Sequence, residues 1–222
     1  MGQDEILRAG SSMSIESVIF DFAGVLCFPP TDRQLSEAAV LCGLSTAEFE
    51  RAFLLKRRDY DRGQDAASYW QDIAGASGRT FDDAMIAGMV RREIEFWSRF
   101  DERVLRWAGE LRAAGLRTGI LSNLPRPLGQ ALRAAPGFLD RFDQVTFSYE
   151  LGVIKPEREI YLHAIEGLGA APSQTLFLDD HAENVEGARA AGLQAVLFTT
   201  WEDFLARDRA RFALPEPSCQ TP

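Results

Sequence analysis

Ser17-Val18-Ile19-Phe20-Asp21 carries a short apolar, strand-like run straight into a carboxylate. The same form recurs in Thr118-Gly119-Ile120-Leu121 ahead of Ser122-Asn123, in Leu151-Gly152-Val153-Ile154 ahead of Lys155-Pro156, and in Thr175-Leu176-Phe177-Leu178 ahead of Asp179-Asp180. Parallel sheets gather residues that are distant in sequence at the carboxyl ends of their strands. A carboxylate, a hydroxyl, an ammonium and a pair of acids are therefore expected in one pocket. Such a set suits phosphoryl transfer, which needs a nucleophile, a cation and neutralisation of charge.

Outward from these runs the pattern divides. Residues 1–14 are polar and include Gly10-Ser11-Ser12, so a loose leader is expected there. After the first strand, Gly24 and Pro29-Pro30 break the backbone, and the pattern turns helical. Leu35, Ala38, Ala39 and Cys42 recur at helical spacing, as do Phe49, Ala52, Phe53 and Lys56. Further helices are expected near 65–75 and 80–98, with no strand in the stretch. From Asp101 onward helices and strands alternate. Helices are expected at 102–114, after Pro127, from Pro156 to Leu168, at 183–191 and at 201–210, with strands at 143–148, 175–179 and 194–198. The fold class expected is α/β: a Rossmann-like parallel sheet with helices on both faces and an inserted all-helical cap. The core comprises 15–28 and 101–212, the cap 29–100, and Pro-rich 213–222 reads as a disordered tail.

A chain of 222 residues with 46% hydrophobic content readily supplies such a core. Its formal charge of −9 argues against a nucleic-acid partner. It leaves room for an anionic small molecule, because a local cation can reverse the field inside a pocket. No apolar run approaches the roughly 20 residues that span a bilayer. The start, Met1-Gly2-Gln3-Asp4-Glu5, lacks the pattern of a secretory signal. Cys27, Cys42 and Cys219 are scattered and read as reduced thiols, so a cytoplasmic location is expected. Lys56 and Lys155 are the only lysines, which makes the placement of Lys155 after an apolar run informative.

Taken in order, Phe20-Asp21-Phe22-Ala23-Gly24-Val25-Leu26, Leu121-Ser122-Asn123, Lys155-Pro156, and Leu178-Asp179-Asp180 with Asn184 and Gly187-Ala188 resemble the four motifs of the haloacid dehalogenase superfamily. The resemblance covers about 17–205, and the helical stretch matches that family's α-helical cap. Within the superfamily it is most similar to phosphatases such as the amino-terminal domain of soluble epoxide hydrolase. It implies Asp21 as the nucleophile, forming an aspartyl phosphate. Lys155 would offset charge at the transferring phosphoryl group, with Ser122 and Asn123 donating hydrogen bonds to its oxygens. Adjacent Asp179 and Asp180 repel unless a cation sits near, and magnesium takes hard oxygen ligands. By the resemblance, Asp180 binds magnesium directly and Asp179 through water. Asp21 and the backbone carbonyl of Ala23 complete the protein ligands, and Asn184 steadies Lys155 or the acids. Acids in this place also favour a helix N-terminus, so one of the pair can act as a cap.

One position departs from the family. Most phosphatases resembling this chain carry a second Asp two residues after the nucleophile, which protonates the leaving group; here Ala23 stands there. General acid–base assistance is worth about 10²–10⁴-fold, and its loss bears hardest on alkoxide leaving groups. The expected function is a magnesium-dependent phosphatase acting on a small phosphorylated metabolite. A metal-free 2-haloacid dehalogenase is the alternative, since that class also lacks the second acid, although clustered Asp179-Asp180 speaks against it. A phospholigand-binding homologue without catalysis is the third reading. In the cap, Tyr60, Tyr69 and Trp70 read as bundle core, and His181 lies where it can reach the pocket mouth.

Overall fold

The computed structural model describes residues 14–218. Apart from Ser14, the leader expected over 1–14 lies outside the described residues, as do Cys219 and the last part of the tail. The chain opens with β1 (Ser17–Phe20), followed by α1 (Asp32–Leu41), α2 (Thr46–Leu55), α3 (Arg57–Asp61), α4 (Ala66–Ala76) and α5 (Asp83–Phe96). Then come α6 (Glu102–Ala113), β2 (Arg117–Ser122), α7 (Arg126–Ala134), β3 (Gln144–Phe147), α8 (Ser148–Leu151) and α9 (Arg158–Leu168). The chain closes with β4 (Thr175–Asp179), α10 (Ala182–Ala190), β5 (Gln194–Leu197) and α11 (Trp201–Arg207).

The five strands form one parallel sheet in the order β3-β2-β1-β4-β5. Side chains alternate between faces along a strand, and both faces are covered. Val18 and Phe20 join Ile120, Leu176 and Leu178 on one face, packed against Trp107 and Leu111 of α6 and Phe204 of α11. Ile19, Leu121 and Phe177 face the other way, onto Ile160 and Ala164 of α9 and Val185 and Ala188 of α10. Double-sided burial explains why these strands read as continuous apolar runs. The register pairs Phe20 with Ile120 and with Leu178, so the residues one step beyond, Asp21 and Asp179, lie side by side.

The helices α1–α5 gather a separate apolar cluster that includes Ala38, Phe49, Tyr60, Tyr69, Trp70, Met89 and Phe96. Their starts are set locally. Thr31 with Gln34 and Ser45 with Glu48 form reciprocal capping boxes, and Asp65 and Asp82 cap α4 and α5. Tyr60 stacks on Tyr69 with ring centroids 3.9 Å apart, so these aromatics are core, as their spacing suggested. The chain crosses into and out of this insert on paired backbone: Phe28 N donates to Arg99 O at 2.8 Å, and Asp101 N to Leu26 O at 2.9 Å. Elsewhere Ser148 Oγ donates to Asp61 O at 2.6 Å, and Arg62 pairs with Glu157 through Nη1 and Oε2 at 3.0 Å. Among the described residues no helix is long and apolar enough to cross a membrane.

Three expectations need correction. Leu151-Gly152-Val153-Ile154 is not a strand. Leu151 ends the short helix α8, Gly152 takes φ 71°, and Val153 and Ile154 lead as loop into Lys155. β3 already fills the place beside β2, and this apolar run instead buries Ile154 and packs Leu151 and Val153 against the core. Pro156 does not open α9 either. The helix starts at Arg158 after Glu157, and the Lys155–Pro156 peptide is cis. Finally, 213–218 is docked and not loose. Leu214 is 4% exposed, Trp107 Nε1 donates to Pro215 O at 3.1 Å, and Arg209 holds Leu214 O at 2.9 Å.

Leu214→Ala should therefore lower unfolding stability by about 2–5 kcal/mol, read as a shift in the urea midpoint. An unshifted midpoint would return this segment to the status of a tail.

Candidate active site

The carboxyl ends of β1, β2 and β4 converge with the loop before α9 on a buried ammonium. Lys155 Nζ lies 2.8 Å from Asp21 Oδ2 and 2.6 Å from Asp179 Oδ2, and it donates to Leu121 O at 3.2 Å. Its side chain is 1% exposed. Three acceptors match the three protons of an ammonium, which is what makes full burial of a lysine tolerable. The loop is aimed by Asn123. Its Oδ1 accepts from Lys155 N at 2.8 Å and its Nδ2 donates to Lys155 O at 3.0 Å.

Asp179 is saturated. Its Oδ1 accepts from His181 N at 2.8 Å and from Asn184 Nδ2 at 3.0 Å; its Oδ2 accepts from Lys155 and, at 3.1 Å, from the same Asn184 nitrogen. A carboxylate offers about four acceptor directions, and all are taken. Asn184 is held in turn through its own carbonyl, which accepts from Tyr161 OH at 2.8 Å. Asp180 turns the other way. Its Oδ1 lies 2.7 Å from His181 Nδ1, and its Oδ2 packs beside Gly24. A Cβ on Gly24 would come within 2.2 Å of that oxygen, and Gly24 sits at φ 76°. Both facts demand glycine there.

The electrostatics separate the acids. Burial pushes Asp21 up to about 7, against the attraction of Lys155 and with the repulsion of Asp179 and Asp180 added. Burial would also raise Asp179, but Lys155, the His181 amide and Asn184 outweigh it and hold the group below the usual carboxylate range. Burial works against the Lys155 ammonium, and the two carboxylates more than restore it. The hydrogen bond that the charged His181 ring donates to Asp180 pushes this exposed group up to about 9. Asp180 is paired with His181, whereas Lys155 alone stands between the two buried carboxylates, so a further cation beside Asp21 would relieve the shortfall there. Ligand atoms of Asp179, Asp180 and His181 lie within 4.8 Å of one another. The oxygens around Asp21, Ala23 and Asp180 are hard donors of the kind magnesium takes.

These groups floor a cavity of about 500 Å³ whose lining includes Asp21, Ala23, Ser122, Asn123, Lys155 and Asn184. The structure thus brings together every residue singled out from sequence except Asp180, which stands at the side, and Asp179, which is sealed beneath. Asn123 takes on a part not expected from sequence: its carbonyl and one N–H are engaged by the backbone of Lys155, so it positions the lysine, and its second N–H is left to donate into the cavity it lines. Sequence reasoning missed the insert's share of the lining, Phe53, Arg57, Asp61 and Trp97 among them. It also missed Gly24, for which Asp180 supplies the reason only in three dimensions.

Two outcomes are expected. Lys155→Met strands two buried carboxylates and should cost about 3–5 kcal/mol, measured by urea unfolding in the presence of chelator. Gly24→Ala should displace Asp180 and cost at least about 1 kcal/mol from backbone strain alone, visible as a lowered thermal midpoint.

The chain's likenesses agree with this geometry. A family model described as haloacid dehalogenase-like hydrolase matches residues 15–192. Among known proteins, a phosphatase of Mycobacterium tuberculosis is 28% identical over 209 residues, covering 83% of this chain and 88% of the relative. A HAD family enzyme of Bacteroides thetaiotaomicron, solved with magnesium and inorganic phosphate, superposes with a TM-score of 0.67 at 21% identity over 86% of this chain and 99% of that one. L-2-haloacid dehalogenase from Xanthobacter autotrophicus superposes with a TM-score of 0.64 at 26% identity over 89% and 83%. These likenesses single out no subgroup, and the nearer similarity to the phosphatase domain of soluble epoxide hydrolase remains an expectation from sequence. With the motif residues assembled at the strand ends and the family model spanning both the sheet and the helical insert, the chain belongs to the haloacid dehalogenase-like hydrolase family.

Proposed function

We propose that this hydrolase is a magnesium-dependent phosphatase acting on a small phosphorylated metabolite. The observation that carries the reading is the Asp21–Lys155–Asp179 cluster with Asp180 beside it, at the floor of a cavity large enough for a small molecule. Asp21 attacks phosphorus, the bond to the ester oxygen breaks, and the alkoxide leaves with a proton from solvent. Water then attacks the aspartyl phosphate and releases inorganic phosphate, returning Asp21. Lys155 favours the ionised form of Asp21 against its burial and offers positive charge where the phosphoryl oxygens gather. Ser122, buried at the end of β2 and lining the cavity, supplies a hydroxyl to the same oxygens.

Asp21, Asp180 and the Ala23 carbonyl would hold magnesium, while Asp179, expected from sequence to reach the ion through water, has its acceptor positions taken by Lys155, Asn184 and the His181 amide and would support the cluster from beneath. When bound, the ion supplies charge neutralisation to the incoming anion. Helices α1–α5 act as a cap that shields the cavity from water. Ala23 offers no proton to the leaving group.

A dehalogenase remains the competing reading, supported by Ala23 and by the superposition on L-2-haloacid dehalogenase. The saturated Asp179 next to Asp180 weighs against it, since metal-free displacement gains nothing from added acids.

Hydrolysis of p-nitrophenyl phosphate and acetyl phosphate should require magnesium, stop on chelation and vanish in Asp21→Asn. Halide release from 2-chloropropionate without metal would replace this reading with the competing one. Ala23→Asp should raise the rate on alkyl phosphates by about 10²-fold or more and leave aryl phosphates much less changed. Equal gains on both would defeat the leaving-group argument.

A further inference from the structure

Above its polar floor the cavity changes character. Leu35, Phe53, Leu54 and Trp97 from the insert face Leu124 and Leu128 from the core across the same space. Arg57, which the insert brings to these walls, is already engaged, while Asp61 Oδ1 and Trp97 Nε1 are buried there without a well-aligned hydrogen bond. Arg57 Nη1 lies 2.6 Å from Glu93 Oε1 and its Nε 3.0 Å from Asp61 Oδ1, while the guanidinium sits 5.1 Å from the centroid of Phe53. Glu93 is 1% exposed, so this ion pair is internal to the insert. Glu50 and Arg58 also line the cavity, but both are exposed. The walls therefore offer a substrate apolar surface and few unengaged polar partners below the rim. Leu54, 67% exposed at this cavity, leaves apolar area for a ligand to cover.

Resting on the phosphatase reading above, we propose that the substrate is the phosphate monoester of an apolar alcohol, with an aliphatic or aromatic group lying between the insert and the core, and not a sugar phosphate. The reaction is ROPO₃²⁻ with water giving ROH and inorganic phosphate, the oxygen of water going to phosphorus and its proton to the alkoxide. Selectivity follows from burial. Each methylene removed from water is worth roughly a 3–4-fold gain in kcat/KM. A hydroxyl brought among these side chains without a partner costs roughly 5–150-fold.

The test compares n-butyl, n-hexyl and n-octyl phosphate, whose leaving groups are chemically alike, with glycerol phosphate and glucose 6-phosphate. Acetyl phosphate in magnesium serves as the control for phosphoryl transfer itself. The expected result is a rise of roughly 3–4-fold per methylene until the cavity is full, with both polyol phosphates about 10²-fold below hexyl phosphate. Leu54→Gln should lower kcat/KM for octyl phosphate more than for butyl phosphate. A flat alkyl series, or preference for a polyol phosphate, with acetyl phosphate still turned over would overturn the apolar assignment and leave the phosphatase reading standing. If acetyl phosphate is not hydrolysed, the phosphatase reading fails, and titration calorimetry with hexyl and octyl phosphate decides the cavity's preference without turnover. Affinity rising with chain length then supports it, and equal affinity overturns it.

Discussion

The structure depends on one ammonium being buried between two carboxylates. Lys155 is the one ammonium shared by Asp21 and Asp179 where the strands end, and it is sealed from water with its third proton on the carbonyl of Leu121. A buried pair of this kind contributes little net stability but is costly to break from one side. It therefore acts as a geometric constraint. The loop carrying Lys155 must arrive at one height above the sheet, and the first turn of α10 must present Asn184 and the His181 amide to Asp179. One ammonium also stands between two buried carboxylates, and burial disfavours the charge on Asp21. That imbalance makes the floor of the cavity receptive to a cation and then to an anion, in a chain whose formal charge is −9.

Much of this was legible in the sequence, and the reason is the doubly covered parallel sheet. Strands buried on both faces must be apolar throughout, so β1, β2 and β4 stand out as runs, and the polar residues that end them stand out as sites. The helical insert was equally legible, because its helices announce themselves by spacing and by caps at Thr31, Ser45, Asp65 and Asp82. The apolar run before Lys155 misled because periodicity cannot tell a strand from a loop that buries one isoleucine. The docked segment 213–218 misled for the opposite reason: its prolines suggest looseness, while its contact with Trp107 comes from a helix about a hundred residues away in sequence.

The roles of individual polar groups were the least legible part. Asn184 was expected to steady Lys155 or the acids and does hold Asp179, whereas Asn123 looked like a ligand-facing amide and is tied to the backbone of Lys155 as well. No spacing rule distinguishes an asparagine that touches substrate from one that aims a lysine. The lining contributed by the insert was likewise hidden. Phe53 and Trp97 belong by pattern to the bundle's own core, and only the packing of the insert over the strand ends turns part of that core into a wall.

The way the insert is fastened carries a last consequence. It is stitched at its two crossings by backbone hydrogen bonds, and also by Ser148 holding the carbonyl of Asp61 and by Arg62 paired with Glu157. The first set can swivel, but the second must part before the halves separate. Of that second set only the Arg62–Glu157 link is ionic and reaches solvent, so it is the element that salt screens. Dissolved ions therefore weaken this tie between insert and core, whereas the sealed ammonium beneath is insulated from them.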